Sequence, residues 1–398
     1  MSDPLGRRPF CKNGRENGPR APDNATKLFD IRQPVRGIVI WRRYNASRLL
    51  VENGRSVIAK RLLKNALVAG AYHTGLLSLY LGRTLRGRAV ALTYHRVLPE
   101  QELARSFSTD AIVVTPETFR RHMQTLRKSF NPLTAEQFSA ALGTGQWPER
   151  ACIVTFDDGW LDNLEHALPI LQECNVPAVL FIATDYVGTE RCFWQETLAR
   201  YLAAAATVPE RSGPLFTELG IAHVLELPAA EARAATRAMI DSLKSQPQAQ
   251  LDALLARVHS LLQQWQVALP QNHPDRFLSW AQVKQLSESG VVTIASHCCS
   301  HTPLTKLEAD AVREELQRSR EIIQERVGID TRDMAYPNGD HDPNIAAAVR
   351  DSGYRTGYTT NRGHVAPAAN AFTLKRINIH ERGTATPGAF LARLAGIF

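Results

Sequence analysis

Two adjacent carboxylates, Asp157 and Asp158, close the run "IVTFDDGW", where a buried-strand pattern stops. Two imidazoles, His297 and His301, stand four residues apart directly after the β-branched run "VVTIAS". Side-by-side carboxylates repel and push one another toward protonation unless one is ion-paired or a cation lies between them. A bound metal removes that conflict. If a helical turn follows the second run, the spacing of the histidines sets both rings on one side, a geometry suited to gripping a divalent ion. Each feature alone has a plainer reading. Asp-Gly is a common turn pair and an aspartate ahead of a helix caps it, while a lone His pair of this spacing is usually incidental. Ending two strands of one parallel sheet, they define a candidate site, because active sites of such sheets gather at the carboxyl ends of strands. Successive strand residues face opposite ways, so Asp158 can serve as ligand while Asp157 serves as base.

The elements that must position these groups alternate in type. Strand patterns fall at 88–95, 151–156, 178–183, 291–296, 333–337, 356–360 and 372–379, with helical patterns at 116–130, 134–142 and 306–327 between them. Leu161, Leu164, Leu168 and Leu171 recur at helical spacing, completing a strand, helix, strand unit. Such units imply a parallel sheet wrapped by helices. The alternation breaks at about 194–273, where Ala-, Leu- and Gln-rich stretches read as a helical insertion, either extra helices of the same domain or a substrate lid.

Charge is unevenly placed along the 398 residues. Met1 to Val90 carries 18 Lys and Arg against 5 Asp and Glu, so the net charge of +8 is an N-terminal property. The opening two dozen residues have few large apolar groups and are expected to be disordered, either a solubilising tail or an arm for anionic surfaces. No secretory signal is visible at the start, and 65–82 is an apolar stretch at the margin of membrane-spanning length, better read as a buried or interface-lying helix. Six irregularly spaced cysteines suit a reducing compartment. The expectation is a cytoplasmic protein with peripheral membrane contact through the basic region. No nucleic acid partner is expected, because the basic residues avoid the folded body. The chain divides into an extension over 1–85 and a catalytic domain over 86–398.

In order along the chain, "TYHRV" (93–97), "TFDDG" (155–159), "HCCSH" (297–301), "AYPNG" (335–339) and "RINIH" (376–380) resemble the polysaccharide deacetylases, carbohydrate esterase family 4, and within them bacterial members concerned with exopolysaccharides. The likeness runs from about Ala89 to the C-terminus, the insertion excepted. The resemblance implies an α/β fold, a distorted (β/α) barrel, with one divalent metal ion, usually zinc, held by Asp158, His297 and His301. It implies removal of N-acetyl groups from amino-sugar units of a polysaccharide or its precursor. Asp157 would be the general base, the backbone N–H of Asn338 an oxyanion donor, and His380 the acid that protonates the leaving amine, with His341 in reserve.

Tyr94, His95, Arg96 and Tyr336 are substrate-binding candidates. Trp160, Trp194 and Trp280 offer faces for sugars, with core packing as the simpler reading of each. Two positions depart from the family pattern. Ala335 stands where many members carry an Arg that pairs with the base, so Arg96 or Arg376 must replace it. Cys298 follows the first histidine where Ser or Thr is common, and reads as a small buried filler rather than a ligand. The alternatives are a deacylase of a small N-acyl molecule and a non-catalytic carbohydrate-binding or assembly protein whose site has decayed.

Overall fold

The computed structural model describes residues 64 and 66–397, apart from 272. The expectations for the basic start of the chain lie outside these residues. Seven parallel strands form a ring: β1 (Val90–Tyr94), β2 (Ala151–Phe156), β3 (Ala178–Ile182), β4 (Val292–Ser296), β5 (Asp333–Ala335), β6 (Thr356–Arg362) and β7 (Leu374–Asn378). Their order follows the sequence, and β1 closes the ring by pairing with both β2 and β7, in the registers Leu92↔Val154 and Leu92↔Ile377. A closed ring of parallel strands wrapped by helices is the distorted (β/α) barrel expected, with a two-residue strand, Asn131–Pro132, added alongside the start of β2.

Alternation along each strand sorts its side chains into two environments. Val90, Leu92, Tyr94, Val154, Phe156, Leu180, Ile182, Ile294 and Ile377 face outward into the layer under the helices. Ala91, Ile153, Val179, Phe181, Ala295, Ala335, Tyr358 and Leu374 face inward. The interior parity carries Thr93, Thr155 and Arg376 to the upper end of the barrel, below the cavity described next. At the opposite end Phe138, from the helix Ala135–Thr144, packs with its ring 6.2 Å from Tyr358.

Local signals fix the surrounding helices. Thr134 and Ser279 each form a capping box, with Gln137 and Gln282 respectively, a device worth about 1 kcal/mol per cap. The expected helix over 306–327 begins at Ala309, because 304–306 is a separate 3-10 turn, and Gly328 ends it at φ 83°. The leucines from 161 to 171 span a π turn, Asn163–Ala167, that runs into the helix Leu168–Cys174. The apolar stretch expected as one helix is two pieces: 66–73 is helical, Gly75 is left-handed at φ 76°, and Leu76–Thr84 resumes the helix. Among the described residues no helix is long and apolar enough to cross a membrane.

Between β3 and β4 lie α1 (Trp194–Ala205), α2 (Pro209–Glu218), α3 (Ala229–Ser242) and α4 (Gln248–Gln264). They share an apolar cluster of their own, including Leu198, Leu202, Phe216, Ile240, Val258 and Leu262.

Candidate active site

At the carboxyl ends of the strands a cavity of about 380 Å³ opens, with Asp157, Asp158, His297 and His301 in its wall. One donor atom each from Asp158, His297 and His301 lies within 4.8 Å of the others. Asp158 Oδ1 is 3.5 Å from His297 Nε2 and 3.4 Å from His301 Nε2. His297 Nδ1 donates to the Ala335 carbonyl at 2.8 Å, which leaves the Nε2 lone pair facing Asp158. That is the tautomer a metal-ligating histidine needs, fixed by its second nitrogen. One carboxylate and two imidazoles in this arrangement fit a zinc-type divalent ion with open coordination positions.

The backbone departs from the expected helical turn. Residues 297–301 form a loop in which Cys298 and His301 are left-handed, at φ 62° and 58°. The histidines converge because the chain doubles back there. Glu315, on the helix Ala309–Val327, fastens this loop by accepting from the N–H groups of Cys299 and Ser300 at 2.7 and 3.1 Å. Ser296 Oγ accepts from Cys298 N. The Cys298 side chain is buried among Leu304, Val312, Leu316 and Met334, and burial drives its thiol well above the usual range, so it is the expected filler. His301 stacks on Phe193, the residue preceding α1, with centroids 4.0 Å apart.

The two aspartates separate by a similar device. Strand β2 ends at Phe156, and Asp158 and Gly159 are both left-handed, at φ 81° and 91°. A Cβ at position 159 would stand 3.0 Å from Ile182 Cγ2, so the turn demands glycine twice over. Asp158 Oδ2 accepts from Trp160 Nε1 at 2.8 Å. Trp160 is fully buried among Phe193 and Phe277, so it orients the ligand and offers no open face to a sugar. Trp160→Phe keeps the ring and deletes that hydrogen bond. It should weaken metal affinity about 10–100-fold, measurable by competition with a chromophoric chelator.

Arg376 answers the missing cation. Its Nη1 and Nη2 donate to Asp157 Oδ1 and Oδ2, each at 2.7 Å, while its Nε donates to the Thr359 carbonyl and Nη1 also reaches Thr155 Oγ1. The guanidinium lies inside the barrel, 5.8 Å from the Phe181 ring centroid, where the small interior residues Ala91, Ala295 and Ala335 leave volume for a long side chain. Burial alone would raise the Asp157 carboxyl. Arg376, then His297 and His95, more than offset this and hold it below the ordinary carboxylate value. Asp158 behaves likewise, burial being outweighed by the His297 hydrogen bond and the charges of His95 and His301. His297 loses basicity to burial but gains more from the two aspartates, for a net rise, whereas burial takes His301 down to about 4.

Several sequence candidates lie elsewhere. Tyr94 belongs to the outward face of β1; it packs on Phe119 and Phe156, and its hydroxyl meets His122 Nδ1 at 3.1 Å. Strand parity explains the error, since the inward neighbours Thr93 and His95 line the cavity and Tyr94 cannot. Arg96 is buried away from Asp157, paired with Asp162 and Asp275 and set over the Trp160 ring at 4.3 Å, so it replaces no site arginine. His380 is not among the cavity residues, although Asn378 is. His341 lies outside the cavity too, its Nδ1 on the Gly339 carbonyl and its ring stacked on Tyr336. Tyr336 and Asn338 do line the cavity, with Asn338 left-handed at φ 58° and the Tyr336 hydroxyl spent on the Phe372 carbonyl. Trp280 packs against the outer layer.

His95 also lies near Asp157: Nε2 is 3.8 Å from Asp157 Oδ2. Asn163, in the π turn, donates to the His95 carbonyl at 2.8 Å and fixes its backbone. Among the cavity residues that the sequence does not point to are Gln195 and Glu196 on α1 and Arg237 on α3. Nothing local marks them, because their chemistry depends on where the helices dock.

The sequence model of the family described as "Polysaccharide deacetylase" matches residues 144–212 and 226–357. The chain belongs to that family. A poly-β-1,6-N-acetyl-D-glucosamine N-deacetylase of Staphylococcus epidermidis is 28% identical over 112 residues, 26% of this chain and 39% of that protein. One of Staphylococcus aureus is 32% identical over 110 residues, 26% of this chain and 38% of that protein. The chain thus spans well under half the length of these curated relatives. In fold it is similar to the Streptococcus pyogenes deacetylase PplD, solved in complex with acetate, with a TM-score of 0.50 at 17% identity, covering 77% of this chain and 98% of that one.

Proposed function

We propose that the protein is a metal-dependent hydrolase that removes N-acetyl groups from amino-sugar units of a polysaccharide or its precursor. The observation carrying this reading is the junction of two units at one barrel mouth, the Asp158–His297–His301 cluster and the Arg376-clamped Asp157 beside it. Asp158, His297 and His301 would hold one divalent ion, zinc by the chemistry of the donors, which when bound supplies Lewis acidity toward water and the acyl oxygen. Asp157, ionised and oriented by Arg376, takes the proton of the attacking water as its oxygen bonds to the acetyl carbon. The backbone N–H of Asn338 serves the acyl oxygen as its charge grows. When the C–N bond breaks, the nitrogen needs a proton; a cavity position 3.8 Å from Asp157 supports assigning that role to His95.

Two features favour a catalytic over a decayed site: Arg376 pairs with Asp157 where Ala335 offers no arginine, and Cys298 packs in an apolar cluster. A second cavity, of about 590 Å³, shares Phe193, Gln195, Lys244, His301 and Asn338 with the first, which favours an oligomer over a small N-acyl molecule. A cytoplasmic placement, with peripheral membrane contact through the basic N-terminal region over 1–85, belongs to the same proposal.

Acetate release from N-acetylglucosamine oligomers tests it. Wild-type protein should release acetate, His95→Ala should lower kcat by about 10²–10⁴-fold, and His380→Ala should remain within a few-fold of wild type. The reverse ranking would return the acid role to His380; no release by metal-loaded wild-type protein would reject the activity.

A further inference from the structure

Buried polar atoms without partners are rare in folded proteins, and each calls for an explanation. Among the described residues, Thr93 Oγ1, His95 Nδ1, Gln195 Oε1, Glu196 Oε2, Arg237 Nη2 and Asn378 Oδ1 are such atoms. All six residues line the single cavity that contains Asp157 and Asp158. Half of the twelve atoms of this kind therefore belong to residues that line one cavity, a concentration of unspent polar groups that suits a polar ligand.

Glu196 and Arg237 are each half-satisfied. Glu196 Oε1 accepts from Ser108 Oγ at 3.1 Å, and the Ser108 hydroxyl accepts in turn from Arg96 Nη1 at 2.9 Å. This anchors the carboxyl to the Arg96–Asp275 cluster and leaves Oε2 unused. Arg237 Nη1 donates to Asp110 Oδ1 at 2.7 Å and leaves Nη2 unused. Burial, then the nearby Asp275 charge, pushes the Glu196 carboxyl up to about 7, so at neutral pH it can either accept or donate. Both side chains come from the helices between β3 and β4, and Phe193, one turn before Glu196, stacks on His301. The helices thereby place both residues in the wall of the cavity that holds the candidate metal ligands.

We propose that Glu196 and Arg237 are sugar-recognition residues, pairing through Glu196 Oε2 and Arg237 Nη2 with hydroxyls of the pyranose ring whose acetamide is cleaved. This rests on the amino-sugar reading above and deepens it: the substrate class is a hydroxylated ring, selected against simple N-acyl and aryl acyl compounds. A site built to bond a hydroxyl discriminates strongly against ligands that lack it, because its own polar groups are then stranded.

The test compares kcat/KM for an N-acetylglucosamine oligomer with that for chelator-sensitive cleavage of 4-nitrophenyl acetate, which has no ring hydroxyls. Full-length wild type, Glu196→Gln, Glu196→Ala, Arg237→Met and Arg237→Lys would be assayed, each checked for metal content and melting temperature. The ratio of oligomer to aryl acetate activity should fall about 10–100-fold in Glu196→Ala and Arg237→Met, mainly through KM, with Arg237→Lys intermediate. A ratio within twofold of wild type in folded variants, or equal losses on both substrates, would overturn the inference. If Glu196→Ala fails to fold, Arg237→Met decides alone, since its removed partner Asp110 also pairs with Arg382. Aryl acetate cleavage without any oligomer activity in wild type would instead reject the amino-sugar reading and this inference with it.

Discussion

Asp157→Asn should lower kcat on N-acetylglucosamine oligomers by about 10²–10⁴-fold while leaving metal stoichiometry unchanged. The substitution keeps the size of the side chain and removes its ability to accept a proton. The candidate metal cluster is built from Asp158, His297 and His301 and does not include Asp157. An amide at 157 still lies against the Arg376 guanidinium but can present only one good acceptor to a fork that now uses two oxygens. Some loss of stability should therefore accompany the loss of rate. Single-turnover acetate release on metal-loaded protein separates the two. A variant retaining more than a tenth of the wild-type rate would show that another group accepts the proton.

Arg376→Met carries the second large effect, and its sign follows from the electrostatics. Asp157 is buried, a condition that raises a carboxyl, and it stays low chiefly because of Arg376. Without the guanidinium the largest influence opposing burial is gone and the carboxyl rises. Asp157 must be ionised to act as base, so the acid limb of the kcat/KM profile should move to higher pH. Stability changes in the same sense: the depressed carboxyl of the wild type stabilises the fold above its unfolded value, and this contribution disappears as pH falls. Breaking a buried pair of this kind costs roughly 3–5 kcal/mol, and here both partners are almost wholly buried. The melting temperature should drop most near neutral pH, where the stranded carboxylate is most costly. An unmoved acid limb in a folded variant would remove Arg376 from the account.

The barrel was legible because alternation of short apolar runs with helical patterns is a strong signal. All seven expected strands exist, with β5 ending sooner, at Ala335, and β6 extending to Arg362. Asp157, Asp158, His297 and His301 were legible for a chemical reason, since like charges and paired imidazoles at strand ends require a cation. What failed did so where orientation decides. Tyr94 sits between two cavity residues, and only strand parity, set once the barrel closes, turns it outward. Arg96 and Arg376 were equivalent candidates in sequence, and which of them enters the barrel depends on β7 pairing with β1. The four-residue spacing of the histidines suggests a helix face, but left-handed residues at 298 and 301 achieve the convergence. Glu196 and Arg237 carry no sequence signal, because docking of the helices alone brings them to the cavity.

The account stands or falls on one ion held by Asp158, His297 and His301. Chelator-stripped protein should be inactive on N-acetylglucosamine oligomers and regain full acetate release on titration with zinc, saturating at one equivalent per chain, whereas His301→Ala should show neither tight binding nor recovery at that ratio. Full activity in stripped protein, or recovery of His301→Ala at one equivalent to the wild-type level, would contradict it.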